Sequence, residues 1–175
     1  ESSWVYHSLN SAVPRQDAAL GDVWQVFAES HGALFISAEK ILRWDGEKMQ
    51  VWSLAGPSAR RLHAMRVGDT VYVHHRATGL YVIDAKGPRL IIPASVLGDA
   101  MVYLMEPRQD GWLLTTGNGL FTFEHGRMQP FAPAATEFIV RNKRTGVLRL
   151  PDGRMALGTL NGGIGFVRSD GMFER

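Results

Sequence analysis

His74-His75-Arg76 is the most polar cluster near a hairpin loop in this sequence. A pair of imidazoles raises the question of a metal. Adjacent residues of a regular strand face opposite ways, however, so the two cannot both ligate one ion. No His-Glu-x-x-His exists, and no other close pair of His. The cluster reads as polar residues at a loop edge, with contact to a ligand as its functional alternative. Asp45, Asp84, Asp152 and Asp170 fall at strand ends or in turns, where Asp stabilises the turn backbone. Glu106 and Glu124 are strand-end residues as well. Glycoside cleavage would need paired carboxylates across an opening. No strand carries an acidic residue at an inner position matched in another strand, so no catalytic residue is expected.

Other chemistries are excluded more simply. There is no Cys, hence no disulfide, thiolate metal site or Cys nucleophile. No Gly-x-Ser-x-Gly elbow and no phosphate-binding Gly-Lys-Ser/Thr loop is present. Gly117-x-Gly119 and Gly163-x-Gly165 resemble pieces of a dinucleotide fingerprint, but each lies in a β-hairpin with no helix following. No metal and no cofactor is expected. Net charge is +2. The basic run Arg141-Asn142-Lys143-Arg144 reads as a solvated turn between two apolar strands, so no nucleic-acid partner is expected. No apolar stretch reaches the length of about 18 residues that a membrane helix needs.

The elements that position these residues repeat. GLYVIDAKG at Gly79–Gly87, GLFTFEHG at Gly119–Gly126 and GGIGFVRSDG at Gly162–Gly171 echo one another, with a weaker copy, KILRWDG, at Lys40–Gly46. Their opening apolar residues, Ile41, Leu80, Leu120 and Ile164, recur about every 40 residues, a spacing typical of propeller blades. The fold class is therefore all-β: a β-propeller or part of one, with about four four-stranded antiparallel blades. The repeats span about 22–54, 61–95, 101–133 and 138–175. Residues 1–21 precede them, with Trp4–Leu9 expected as the outer strand of a preceding blade, followed by a loop. Asp45-Gly46 is a strong hairpin signal, because Gly supplies the positive φ such turns need. In GLYVIDA, Leu80 and Val82 point one way while Tyr81 and Ile83 point the other. That two-faced apolar pattern belongs to a sheet packed between two others. Ala132–Val140 is the one stretch where a short helical turn is conceivable.

Four blades make the smallest propeller class. They close alone, belong to a larger ring, or leave open apolar flanks that pair with a second copy in a homodimer. The chain opens in mid-repeat, which suggests an excised part of a longer protein. Asn118 and Asn161 occupy equivalent second-hairpin loops beside Gly, where Asn tolerates positive φ. Arg76 and Ala38 fall near the corresponding loops of other repeats. If those loops ring one mouth of a channel, Arg76, Asn118, Asn161 and His75 are the natural ligand contacts.

At Trp112–Phe131 and Leu150–Gly171 the chain resembles the two-component regulator propeller repeat. The matching residues are Thr116-Gly117, Gly119-Leu120-Phe121 and His125-Gly126 in the third repeat. In the fourth they are Gly158-Thr159, Gly162-Gly163-Ile164 and Asp170-Gly171; the second matches only at Gly79-Leu80-Tyr81. The resemblance implies a non-catalytic sensor ectodomain of a bacterial receptor, periplasmic, linked to the membrane only through other parts of its parent. It would bind a small molecule or oligosaccharide, or mediate receptor association. A polysaccharide-active propeller enzyme and a protein-interaction propeller are the alternatives. Against the latter, Trp44-Asp45 is the sole Trp-Asp pair.

Overall fold

A computed structural model describes residues 5–6, 8–54 and 62–175. They fall into two units, Glu1–Leu62 and His63–Arg175. The fold is all-β and propeller-like, with four antiparallel four-stranded sheets, each a simple meander.

In the first unit, β1 (Val23–Glu29), β2 (Gly32–Ser37), β3 (Lys40–Trp44) and β4 (Met49–Ser53) pair in chain order. Leu34, Ile36, Ile41 and Leu42 are the buried apolar residues of this sheet. The hairpin at Asp45-Gly46 closes as expected: Gly46 has φ 101, and Asp45 Oδ1 accepts from the backbone N–H of Glu47 and Lys48. Among the described residues of the expected leading strand, Trp4–Leu9, none is in a strand. Trp4 and His7 lie outside the described residues, and Val5 and Tyr6 pair with nothing in a sheet. Leu9–Ala12 and Arg15–Asp17 are 3-10 turns instead. The Ser8 hydroxyl accepts from Asn10 N–H, a local bond that competes with strand pairing.

The second unit holds three sheets. They are β5 (His63–Val67) to β8 (Gly87–Pro93), β9 (Val102–Arg108) to β12 (Arg127–Phe131), and β13 (Arg144–Arg149) to β16 (Phe173–Glu174). The strands between are β6 (Thr70–His75), β7 (Gly79–Asp84), β10 (Gly111–Thr116), β11 (Gly119–Glu124), β14 (Met155–Thr159) and β15 (Gly163–Val167). Arg61, where the second repeat was expected to begin, lies outside the described residues. The two-faced pattern has the expected cause. Leu114 joins Met65, Tyr72, Leu80 and Val82 in a core with the β5–β8 sheet. Its neighbour Leu113 joins Met155, Leu157 and Val167 in a separate core with the β13–β16 sheet.

Two helices return the chain from the last strand of one sheet to the first strand of the next: α1 (Ala94–Leu97) and α2 (Pro133–Asn142). The helical turn conceived at Ala132–Val140 is thus a ten-residue helix. Ala135, Phe138 and Ile139 bury its inner face. It also corrects the basic run. Arg141 and Asn142 end the helix, Lys143 caps it in the left-handed region (φ 57), and Arg144 opens β13. The run is a helix terminus, not a solvated turn.

Candidate functional site

In a four-stranded meander the loops between second and third strands share an end with the connection to the next sheet. In the second unit that end carries the β6–β7, β10–β11 and β14–β15 loops together with α1 and α2. The last residue of the second strand locks each loop. Thr116 Oγ1 donates to Gly119 O at 3.1 Å and accepts from Asn118 N–H at 3.1 Å. Thr159 Oγ1 donates to Gly163 O at 2.9 Å and accepts from Gly162 N–H at 3.0 Å. Ser37 does the same in the first unit, accepting from Lys40 N–H at 2.9 Å and donating to Lys40 O at 3.2 Å. His75 holds the equivalent place on β6, where its ring Nδ1 meets Thr78 Oγ1 at 2.8 Å.

All four expected ligand contacts therefore lie at this end, but the structure does not join them. His75 is buried and engaged with Thr78. Arg76 Nε donates to Asp99 O at 2.8 Å, tying its loop to the connector after α1. Asn118 and Asn161 are exposed. Asn161 N–H donates to Asn142 O, beside the end of α2. Neither Asn has positive φ; Gly119 (φ 139) and Gly163 (φ 77) take that conformation instead.

Sequence reasoning missed His63, Tyr103 and Arg144 at the same end, on the first strands, and did not foresee the setting of their neighbour His74. His74 is fully buried. Val102 N–H donates to its Nδ1 at 3.2 Å, and Met101 Sδ lies 3.0 Å from the same nitrogen. Burial, helped by His63, His75 and Arg76, pushes its pKa down to about 4, so the ring is neutral. With Nδ1 accepting, the proton sits on Nε2, which has no hydrogen-bond partner among the described residues. His63 stands opposite His74 across the β5–β6 ladder. Its pKa is lowered by burial, which outweighs a hydrogen bond to the Tyr103 backbone; the Arg144 charge lowers it further. The His63 and Tyr103 rings meet edge to face at 5.6 Å. The Arg144 guanidinium lies over the Tyr103 ring at 3.5 Å. His63, Tyr103 and Arg144 come from β5, β9 and β13, the first strand of each sheet. The one available signal was their shared place at the start of those strands.

The opposite end is built differently. Asp84, Asp152 and Asp170 accept from backbone N–H groups two residues on, in the turn role expected for them. Asp84 is held below the usual carboxylate range chiefly by the Lys86 N–H, and Asp152 chiefly by the Arg154 side chain. Between the second and third sheets of this unit a cleft of about 120 Å³ is lined by Glu106, Arg108, Phe131, Arg149 and Arg168 among others. Glu106 pairs there with Arg149. Among the described residues no three acidic or His side chains gather as a metal site, and no helix is long and apolar enough to cross a membrane.

No protein-family profile matches the sequence, and no curated protein matches it. Solved structures do. The chain is similar to the extracellular domain of BT3049 from B. thetaiotaomicron, assigned as a hybrid two component system. The TM-score is 0.65 at 12% identity, over 90% of this chain and 22% of that one. It is also similar to the extracellular domain of BT4673 from the same organism, assigned as a one component system. There the TM-score is 0.61 at 19% identity, over 89% of this chain and 21% of that one. The N-terminal domain of Nup159 follows with a TM-score of 0.53 and 13% identity, over 87% of this chain and 46% of that one. At such identities the likeness is one of fold. The chain spans about a fifth of the length of the two extracellular domains.

Proposed function

We propose that the chain is a non-catalytic, extracytoplasmic sensor domain of a bacterial two-component-type receptor, built from two-component-regulator-type propeller repeats. What carries this reading is the fold it shares with the extracellular domains of BT3049 and BT4673. The end of the sheets that bears Arg76, Asn118 and Asn161 is the proposed place of ligand contact. There, the exposed Asn118 and Asn161 stand on loops locked by the Thr116 and Thr159 hydroxyls, and the half-buried Arg76 on a loop held by His75 and Thr78. In the full receptor that contains this chain, output is measured against a panel of neutral and acidic oligosaccharides. Alanine at Arg76, Asn118 and Asn161 together is expected to abolish the response of an otherwise folded receptor. An unchanged response overturns the assignment of these loops.

Receptor association is a second reading, favoured by exposed apolar side chains on sheet surfaces. Leu148 and Ile164 are exposed in the last sheet, Met172 just before its final strand, and Val23, Trp24 and Val26 on β1. Light scattering on the chain is expected to give about twice 19.4 kDa if these surfaces pair two copies. A monomer that persists at high concentration removes this reading.

A further inference from the structure

The cleft between the β9–β12 and β13–β16 sheets has an uneven charge balance. Three arginines line it, Arg108, Arg149 and Arg168, against one acid, Glu106. Glu106 is spent on Arg149, and its other oxygen is closed to solvent. Arg168 pairs at 3.2 Å with Asp170 and at 4.0 Å with Glu174, neither of which lines the cleft. These pairs are exposed, and exposed pairs hold a side chain only weakly. Arg108 has no ion pair among the described residues; its Cζ lies 5.1 Å from the centre of the Phe131 ring. Two cationic side chains, both open to solvent, therefore stand at the rim with no acid of the cleft to neutralise them.

Below the rim the lining changes character. Leu113, Met155 and Val167 are buried and apolar and form the floor, with Phe131 half-buried beside them. The cleft volume of about 120 Å³ is close to the roughly 150 Å³ of an apolar cavity that takes up benzene. Gly153 and Ser169, also in the lining, belong to turns that are already closed. Asp152 and Asp170 Oδ1 accept there from the Arg154 and Met172 N–H at 3.0 Å each. A site on such turns loses little freedom when a ligand enters.

We propose that this cleft binds a small organic acid, aromatic or short-chain. The apolar body rests on Leu113, Met155 and Val167, and the carboxylate meets Arg108 and Arg168. Charge and apolar surface lie side by side here, which selects an acid with a hydrophobic body over an inorganic anion or a neutral ring. The site stands at the opposite end of the sheets from the Arg76, Asn118 and Asn161 loops and does not depend on the sensory reading.

The test is a titration of the chain, labelled with 13C at its methionine methyl groups, with sodium benzoate. Benzyl alcohol supplies the body without the charge, and sodium sulfate the charge without the body, all at constant ionic strength. The Met155 methyl peak is the readout, identified by its loss in Met155→Leu, a swap that keeps the volume of the floor. Benzoate is expected to move that peak saturably and to bind more tightly than either control. Arg108→Gln removes a rim charge at an exposed position and should raise the apparent Kd of benzoate about fivefold. No saturable movement with benzoate overturns the proposal. Equal affinity for benzyl alcohol, or an unchanged Kd in a folded Arg108→Gln, overturns it by removing the arginines from the site. Equal affinity for sulfate overturns it by removing the floor. If Arg108→Gln does not fold, Arg168→Gln takes its place, since it breaks only exposed pairs. Output of the full receptor is a separate measurement. A receptor that answers oligosaccharides through the Arg76, Asn118 and Asn161 loops keeps the sensory reading whether or not benzoate binds here, and a silent receptor leaves this site standing.

Discussion

The two ends of the sheets in the second unit are held by opposite means. At the end that carries Asp84, Asp152 and Asp170, these three turns are each closed by a side chain bonding two residues ahead, and the exposed ion pairs Asp84–Arg89 and Arg154–Asp152 are short-range, with Glu106–Arg149 as a long-range pair beside them. At the other end the decisive contacts join residues far apart in the chain. Arg76 reaches Asp99, Gly117 N–H reaches Met101 O, and Leu160 N–H reaches Lys143 O. Local closure gives a robust cap that carries little information. Long-range closure makes each loop depend on a neighbouring connector, which is the arrangement a ligand-responsive surface needs.

The largest test of that contrast is Gly79→Ala. Gly79 has φ 130, and a Cβ there would lie 2.1 Å from the Ile92 carbonyl oxygen. Backbone blocks the added atom on a strand that cannot move away, so a loss of about 3 kcal/mol or more is expected in chemical denaturation. Gly126→Ala at the opposite end meets nothing within 4 Å and bears only the strain of its φ of 78. Equal losses at the two positions would break the comparison.

Next comes pH. The folded pKa of His74 is about 4 against 6.5 for the free side chain. The unfolded chain therefore takes up this proton first as pH falls. The stability linked to His74 is complete above pH 6.5 and is lost as pH drops toward 4, at about 1.4 kcal/mol per unit and about 3 kcal/mol in all. Unfolding measured across that window should show this slope in the wild type and a flatter one in His74→Gln. Equal slopes would mean that burial does not hold His74 neutral in the folded chain.

The smallest effects separate the two kinds of lock. Thr116→Val removes a buried hydroxyl that bonds Gly119 O and Asn118 N–H, and should cost about 1 kcal/mol. Asp152→Asn, on an exposed turn, should cost a little stability at neutral pH and converge on the wild type in acid. Its stabilisation is present above pH 3.8 and fades as pH falls below that value. A Thr116→Val protein as stable as the wild type would sink the idea that hydroxyl locks hold the loop end.

This contrast also explains what could be read from the residues alone. Asp45-Gly46 and the strand positions were legible because hairpin chemistry and two-faced apolar alternation are local. Helix α2 was nearly invisible. Its N-cap, Ala132, offers no side-chain bond and sits in the left-handed region, leaving Pro133 as the only start signal. Topology put the candidate loops at one shared end of the sheets, as the structure has them, but the role of His75 was not visible, because its partner Thr78 matters only once the loop has closed. Arg144 was hidden inside a basic run. Only the end of α2 separates the exposed Arg141 from an Arg144 stacked on Tyr103.

Leu113 and Leu114 are consecutive residues that belong to different cores. In terms of folding, the β9–β12 sheet is a party wall: neither neighbour can be dismantled without exposing one of its faces. Such an array stores its stability in the contacts between sheets rather than within them, and so loses order stepwise from its ends inward.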